Sequence, residues 1–115
     1  MAVWKQLTIY IGKSDRWYGQ PLYTALVGLA RKRGIVGATV TQAITGFGKQ
    51  TSCHTCELWE LSSDVPMVVT MIDREGALLE ILPYIKEMVR DGLVTIQNVE
   101  VLHHAPSASS YHSLN

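Results

Sequence analysis

"LTIYIGKSDRWYGQPLYTALVGLARKRGIVGATVTQ", residues 7–42, and "VPMVVTMIDREGALLEILPYIKEMVRDGLVTIQNVEV", residues 65–101, follow the same order of elements. Each reads strand, helix, a glycine followed by Ile-Val or Leu-Val, and a second strand. Two β-α-β units in tandem are the split βαβ, or ferredoxin-like, pattern. Between them lies "TGFGKQTSCHTCELWELSSD", residues 45–64. A hairpin joining the halves needs only about 2 to 5 residues. A connection of this length in so short a chain points to a use for it, and the functional reading starts there.

Working outward, Leu7, Ile9 and Ile11 alternate with Trp4, Thr8 and Tyr10, so the first strand is expected to be covered on both faces. Residues 66–72 are apolar at nearly every position, as in a central strand packed on both sides. In residues 36–45, Val36, Ala38, Val40 and Ile44 share one phase, and Thr39, Thr41 and Thr45 the other, which suits a strand nearer an edge. The last strand changes phase between Val94 with Ile96 and Val99 with Val101, predicting a bulge near Gln97 and Asn98. The first helix opens with Pro21, carries Leu22, Ala25, Leu26, Leu29 and Ala30 on one stripe, and ends at Gly34. The second starts near Asp73, carries Leu78, Ile81, Leu82, Ile85 and Val89, is expected to kink at Pro83, and closes at Gly92. The expected fold is α+β, a ferredoxin-like βαββαβ sandwich of strand order 4-1-3-2 with a long insert between strands 2 and 3.

With 115 residues, 47% of them hydrophobic, the chain is long enough for one cored domain. That domain is read as residues 1–104, followed by a flexible tail over 105–115. Ten basic and ten acidic side chains cancel, so the charge favours neither nucleic acid nor anionic lipid. The cluster Arg31, Lys32 and Arg33 stands at a helix C-terminus, where the dipole accounts for it. No apolar run approaches the roughly 20 residues of a membrane span, and no signal-peptide pattern opens the chain, so a cytoplasmic protein without membrane insertion is expected. In a reducing compartment Cys53 and Cys56 are thiols or metal ligands before they are a disulfide.

Strand direction sends the loop 12–19, the insert and the turn 90–93 to one end of the sheet, and the turn 34–36 with the strand-to-helix join at 73 to the other. Three constellations follow. Gly46, Gly48, Lys49 and Gln50 combine positive-φ freedom with amide and ammonium donors, a turn able to hold an anion, and Arg16 and Arg90 are the cations that can join it. Cys53, His54 and Cys56 are soft ligands for zinc or copper, with His103, His104 and His112 elsewhere in the chain. In Ser14 to Tyr18, Asp15 can cap the following helix and pair with Arg16, Trp17 and Tyr18 can cover the core edge, or Arg16 with its aromatic neighbours can hold a phosphate or base. No nucleophile elbow or carboxylate pair accompanies Ser14, Asp15 and His54, so the chain is not read as an enzyme.

The stretch "GATVTQAITGFGKQTSCHT" resembles the PII signal-transduction proteins, in which a Thr-Val strand leads into Gly-Phe-Gly, a basic residue, Gln and then His-Thr. In that superfamily the segment starts the long T-loop, and residues after Gly-Phe-Gly help bind nucleotide in clefts between subunits of a trimer. "IYIGKSDRWYGQPLY", "GATV", "GFG", "HT", "DVP" and "GLVT" together resemble a PII-like bacterial family, domain of unknown function 190. The resemblance implies a homotrimer that senses an adenine nucleotide or another anion. It also implies a partner, a membrane transporter or an enzyme, met through the 46–65 loop. Two departures stand out: one extra residue separates Thr-Val from Gly-Phe-Gly, and "VRDGLVTIQ" has Arg90 and Asp91 where PII proteins carry a glycine-rich, lysine-containing phosphate loop. The alternative is a metal-binding or ion-tolerance protein, like the trimeric copper-tolerance proteins of the same fold.

Overall fold

The computed structural model describes residues 3–44 and 65–106. Strand β1 (Trp4–Gly12) is followed by two two-residue strands, β2 (Arg16–Trp17) and β3 (Gln20–Pro21). Then come helix α1 (Leu22–Lys32), β4 (Gly37–Gln42), β5 (Pro66–Arg74), helix α2 (Glu75–Met88) and β6 (Leu93–Asn98). The four long strands form one antiparallel sheet in the order β4-β5-β1-β6, the order expected of the doubled pattern. β1 and β5 lie at its centre and pair over their whole lengths, from Trp4 opposite Arg74 to Gly12 opposite Pro66.

Pleating divides this sheet into two unlike faces. Leu7, Ile9, Ile11, Met67, Val69 and Met71 point toward the helices and are buried. Against them α1 lays Leu22, Ala25, Leu26 and Ala30, and α2 lays Leu78, Ile81, Ile85 and Met88. Leu29, Leu82 and Val89 pack at the margin of this core. The opposite face carries no layer among the described residues. It presents cross-strand rows, Thr41–Val68–Tyr10–Leu93, Thr39–Thr70–Thr8–Thr95 and Gly37–Ile72–Gln6–Gln97. The expectation that both central strands are covered on two faces is therefore corrected for the single chain: Tyr10 remains 45% exposed and Val68, Thr70 and Ile72 are half-buried. Helices are available for one side only, because both crossovers return over the same face.

Several boundaries also differ from the sequence reading. β5 continues to Arg74, so α2 starts at Glu75 rather than near Asp73, and it stops at Met88, short of Gly92. α2 runs through Pro83, which lies on the exposed side, where the carbonyl deprived of its N–H partner can be hydrated. Pro21 caps α1 from outside rather than forming its first residue, and Gly34 takes φ +75° just past the helix end. β6 pairs with β1 in unbroken register from Leu93 to Asn98, so no bulge interrupts it. The phase change seen in the sequence marks the end of the strand: just beyond Asn98 the Val99 N–H donates to the Trp4 carbonyl at 3.3 Å, outside the ladder.

The two ends of the sheet are as the topology requires. At one end Asp73, only 4% exposed, accepts hydrogen bonds from the backbone N–H groups of Val36 (3.0 Å) and Arg74 (2.6 Å), tying the α1–β4 turn to β5. Arg74 also lies over the Trp4 ring there, and His104 packs edge-on against Trp4 at 5.5 Å. At the other end the α2–β6 turn presses on β1, since a Cβ on Gly92 would lie 2.5 Å from the Tyr10 carbonyl oxygen.

Replacing Asp73 with Ala leaves the Val36 amide without its acceptor, and chemical denaturation should show a loss of about 1–3 kcal/mol. Gly92→Ala forces the turn off β1, and the same measurement should show a loss of about 1–3 kcal/mol from overpacking.

Candidate functional site

At the Gly12 end of the sheet the chain after β1 does not pass directly into α1. Asp15 closes a turn on Gly12: its carboxylate accepts the Gly12 N–H at 3.0 Å, while its own N–H donates to the Gly12 carbonyl at 3.2 Å. The Asp15 carbonyl then accepts the N–H of Leu22, the first residue of α1, at 2.8 Å. The Asp15 side chain thus holds the turn on Gly12, and no side chain caps α1, which corrects the expected role of Asp15 as a cap.

Between these anchors β2 and β3 form a tight hairpin, with Trp17 opposite Gln20 and Tyr18 and Gly19 as its two-residue loop. Both loop residues have positive φ, +47° at Tyr18 and +83° at Gly19, as a type I′ turn demands. Asn or Gly is favoured at the first of these positions. A tyrosine held there costs on the order of 1 kcal/mol or more. Its side chain is 88% exposed and meets the Trp17 ring edge-on, centroids 4.7 Å apart and planes at 89°.

This hairpin and the α2–β6 turn face one another across a cavity of about 440 Å³. Asp15, Arg16, Trp17, Tyr18 and Leu22 line it from the first loop, and Met88, Arg90 and Asp91 from the second. Leu22 and Met88 belong to the buried core and supply an apolar base. The volume lies in the range of small-ligand sites. Arg16 and Arg90, far apart in sequence, both line this cavity.

The loop that lines the cavity also reaches the point where the long insert rejoins the sheet. The Lys13 N–H donates to the Val65 carbonyl at 2.8 Å, and the Ala43 N–H to the Pro66 carbonyl at 2.9 Å. Gly46, Gly48, Lys49, Gln50, Cys53, His54 and Cys56 lie outside the described residues. Among the described residues no cluster of three or more His, Cys, Asp or Glu side chains could hold a metal, and no helix is long and apolar enough to cross a membrane.

Sequence reasoning missed the hairpin because Tyr-Gly is not one of the dipeptides that announce a two-residue turn. The available signal was Gly19, three residues before the helical stripe begins at Leu22. It also missed that Leu22, placed on the core stripe of the first helix, lines a cavity together with Met88, which the reading did not single out.

Comparison with known proteins places this geometry. The model of the family DUF190, described as Uncharacterized ACR, matches residues 4–101. A UPF0166 protein of Aquifex aeolicus is 37% identical over 99 residues, covering 86% of this chain and 93% of that protein. A UPF0166 protein of Methanocaldococcus jannaschii is 29% identical over 98 residues, covering 84% and 90%. Among solved structures, a protein of Thermus thermophilus described as PII-like and signaling superposes with a TM-score of 0.58 at 22% identity, over 87% of this chain and 90% of that one. CPII of Thiomonas intermedia, a nitrogen regulatory PII-like protein bound to ADP, AMP and bicarbonate, superposes with a TM-score of 0.53 at 20% identity, over 85% and 87%. These solved structures establish a shared PII-like fold.

Proposed function

Because this chain belongs to the DUF190 family and has the PII-like fold, we propose that it is a regulatory protein that senses a small anionic ligand. It passes the result to a partner protein through the 46–65 loop and catalyses no reaction. The observation that carries this reading is the convergence of Arg16 and Arg90 on one cavity beside the root of that loop. Guanidinium groups suit phosphate and carboxylate because their donors match two oxygens at once. CPII, of the same fold, binds ADP, AMP and bicarbonate, so an adenine nucleotide or another small anion is the ligand of first choice.

A route from the cavity to the loop is short. Asp15 holds Gly12, Lys13 follows Gly12, and Lys13 holds Val65 by its backbone N–H. A ligand that fixes the turn at Asp15 and Arg16 therefore favours one placement of the loop root, and its effect on the loop equals its difference in affinity for the two placements.

The working assembly is a homotrimer joined through the sheet face opposite the helices. Its rows alternate Thr and Gln with Val, Ile, Tyr and Leu, and a half-apolar face of this kind suits contact between copies. It also accounts for the apolar run of β5, which one helical layer leaves half unexplained.

Titration calorimetry of the full chain with ADP, AMP and bicarbonate tests the ligand. At least one should bind, and Arg16→Ala or Arg90→Ala should weaken it by about ten- to a hundredfold, the loss of one charge-assisted hydrogen bond at roughly 1.5–3 kcal/mol. Absence of binding by all three overturns the adenine-nucleotide and bicarbonate reading. For the assembly, Thr70→Arg places a charge in the middle of the sheet face, and sedimentation should show the trimer replaced by monomer. A trimer that survives this change is built on another surface.

A further inference from the structure

Tyr18 is the residue of the cavity wall that the fold itself does not explain. It occupies a positive-φ position at a hairpin tip, where Asn or Gly is favoured, and its ring lies almost wholly outside the core. A strained and exposed aromatic residue beside a cavity points to a role in contact with something that enters it. We propose that Trp17 and Tyr18 form a ring-binding corner, and that the cavity takes a planar aromatic or heteroaromatic ring carrying an anionic group. This rests on reading the cavity as the ligand site and names the chemistry of its ligand.

Charge supports the pairing of ring and anion. Arg16 and Arg90 contribute two positive charges to the lining, Asp15 and Asp91 two negative ones, and the formal sum is zero. Such a site does not hold an anion by net charge, so a further contact must supply affinity and selectivity. The perpendicular rings of Trp17 and Tyr18 offer a ring one face and one edge, the two arrangements that aromatic groups prefer. Leu22 and Met88 provide an apolar base beneath it, the thioether being soft enough to fit a ring edge. The anionic group then reaches the guanidinium of Arg16, adjacent to Trp17, or that of Arg90 across the cavity.

Two sources share this chemistry, nucleoside phosphates and aromatic carboxylates, and four probes separate them. Calorimetry on the full chain uses AMP, adenosine, ribose 5-phosphate and indole-3-acetate with wild type, Tyr18→Phe and Tyr18→Asn. AMP or indole-3-acetate should bind more tightly than ribose 5-phosphate or adenosine. Tyr18→Phe should retain that affinity. Tyr18→Asn should lose about tenfold, the worth of one ring stack, while its melting temperature rises because Asn suits the turn. The rise in melting temperature excludes misfolding as the cause of the loss. Wild-type affinity in Tyr18→Asn, or ribose 5-phosphate binding as well as AMP, overturns the ring corner and leaves the anion-sensing reading standing. Binding of indole-3-acetate but not AMP supports the corner and assigns it to aromatic acids. Failure of all four probes overturns both the corner and the ligand site.

Discussion

The register between β1 and β5 is the constraint on which everything else depends. It runs without interruption from Trp4 opposite Arg74 to Gly12 opposite Pro66. Because side chains alternate across a strand, this pairing puts Leu7, Ile9 and Ile11 in phase with Met71, Val69 and Met67. A slip of one residue would present Thr8 and Tyr10 to the helices and strand the aliphatic set on the other side. The same register fixes both ends of the sheet: Asp73 receives the α1–β4 turn at one, and Gly12 delivers the Asp15 turn beside Pro66 at the other. The cavity is therefore a consequence of strand pairing, since its two walls are the segments that leave the sheet at the Gly12 end.

Two β-α-β halves returning over the same side give one face covered by helices and one that carries no layer among the described residues, and the composition of this second face is informative. It is neither the charged surface of a sheet bathed in water nor a continuous core. A line of four threonines crosses it from β4 to β6, flanked by a row with Tyr10, Val68 and Leu93 and a row with Gln6, Ile72 and Gln97. Thr8, at the middle, is buried even in the isolated chain. Threonine serves both needs of such a face, since its methyl packs and its hydroxyl bonds across strands.

Much of the fold was legible in the sequence for a specific reason. Helical stripes such as Leu22, Ala25, Leu26 and Ala30 are set by periodicity, and periodicity survives uncertainty about where an element ends. Strand order followed from Thr39 and Thr41 being polar where residues 66–72 are apolar, which sorts edge from centre. Boundaries were less legible because tertiary contacts set them: Asp73 looked like a helix start and is instead held at the end of β5 by the Val36 amide. The phase change after Ile96 looked like a bulge because the sequence does not distinguish an irregular strand from one that stops. That the segments carrying Arg16 and Arg90 meet at one end of the sheet could be inferred from topology. The hairpin that carries Trp17 and Tyr18 could not, because its turn uses a residue that turn chemistry disfavours.

That last misreading bears on how the site departs from the PII pattern. "RDGL" has no lysine where a phosphate loop would carry one, which invites the conclusion that the anion site has been lost. The structure gives the same turn another task. Gly92 has no room for a side chain against the Tyr10 carbonyl, so the turn is held close to β1 and sets Arg90 facing the β2–β3 hairpin. A backbone phosphate loop needs several glycines, whereas a guanidinium placed by one close contact needs only that glycine and a wall to face. The wall is the residue cluster "DRWY", which brings a second arginine and two rings. The glycine-held turn and the aromatic hairpin are thus the two walls of one cavity.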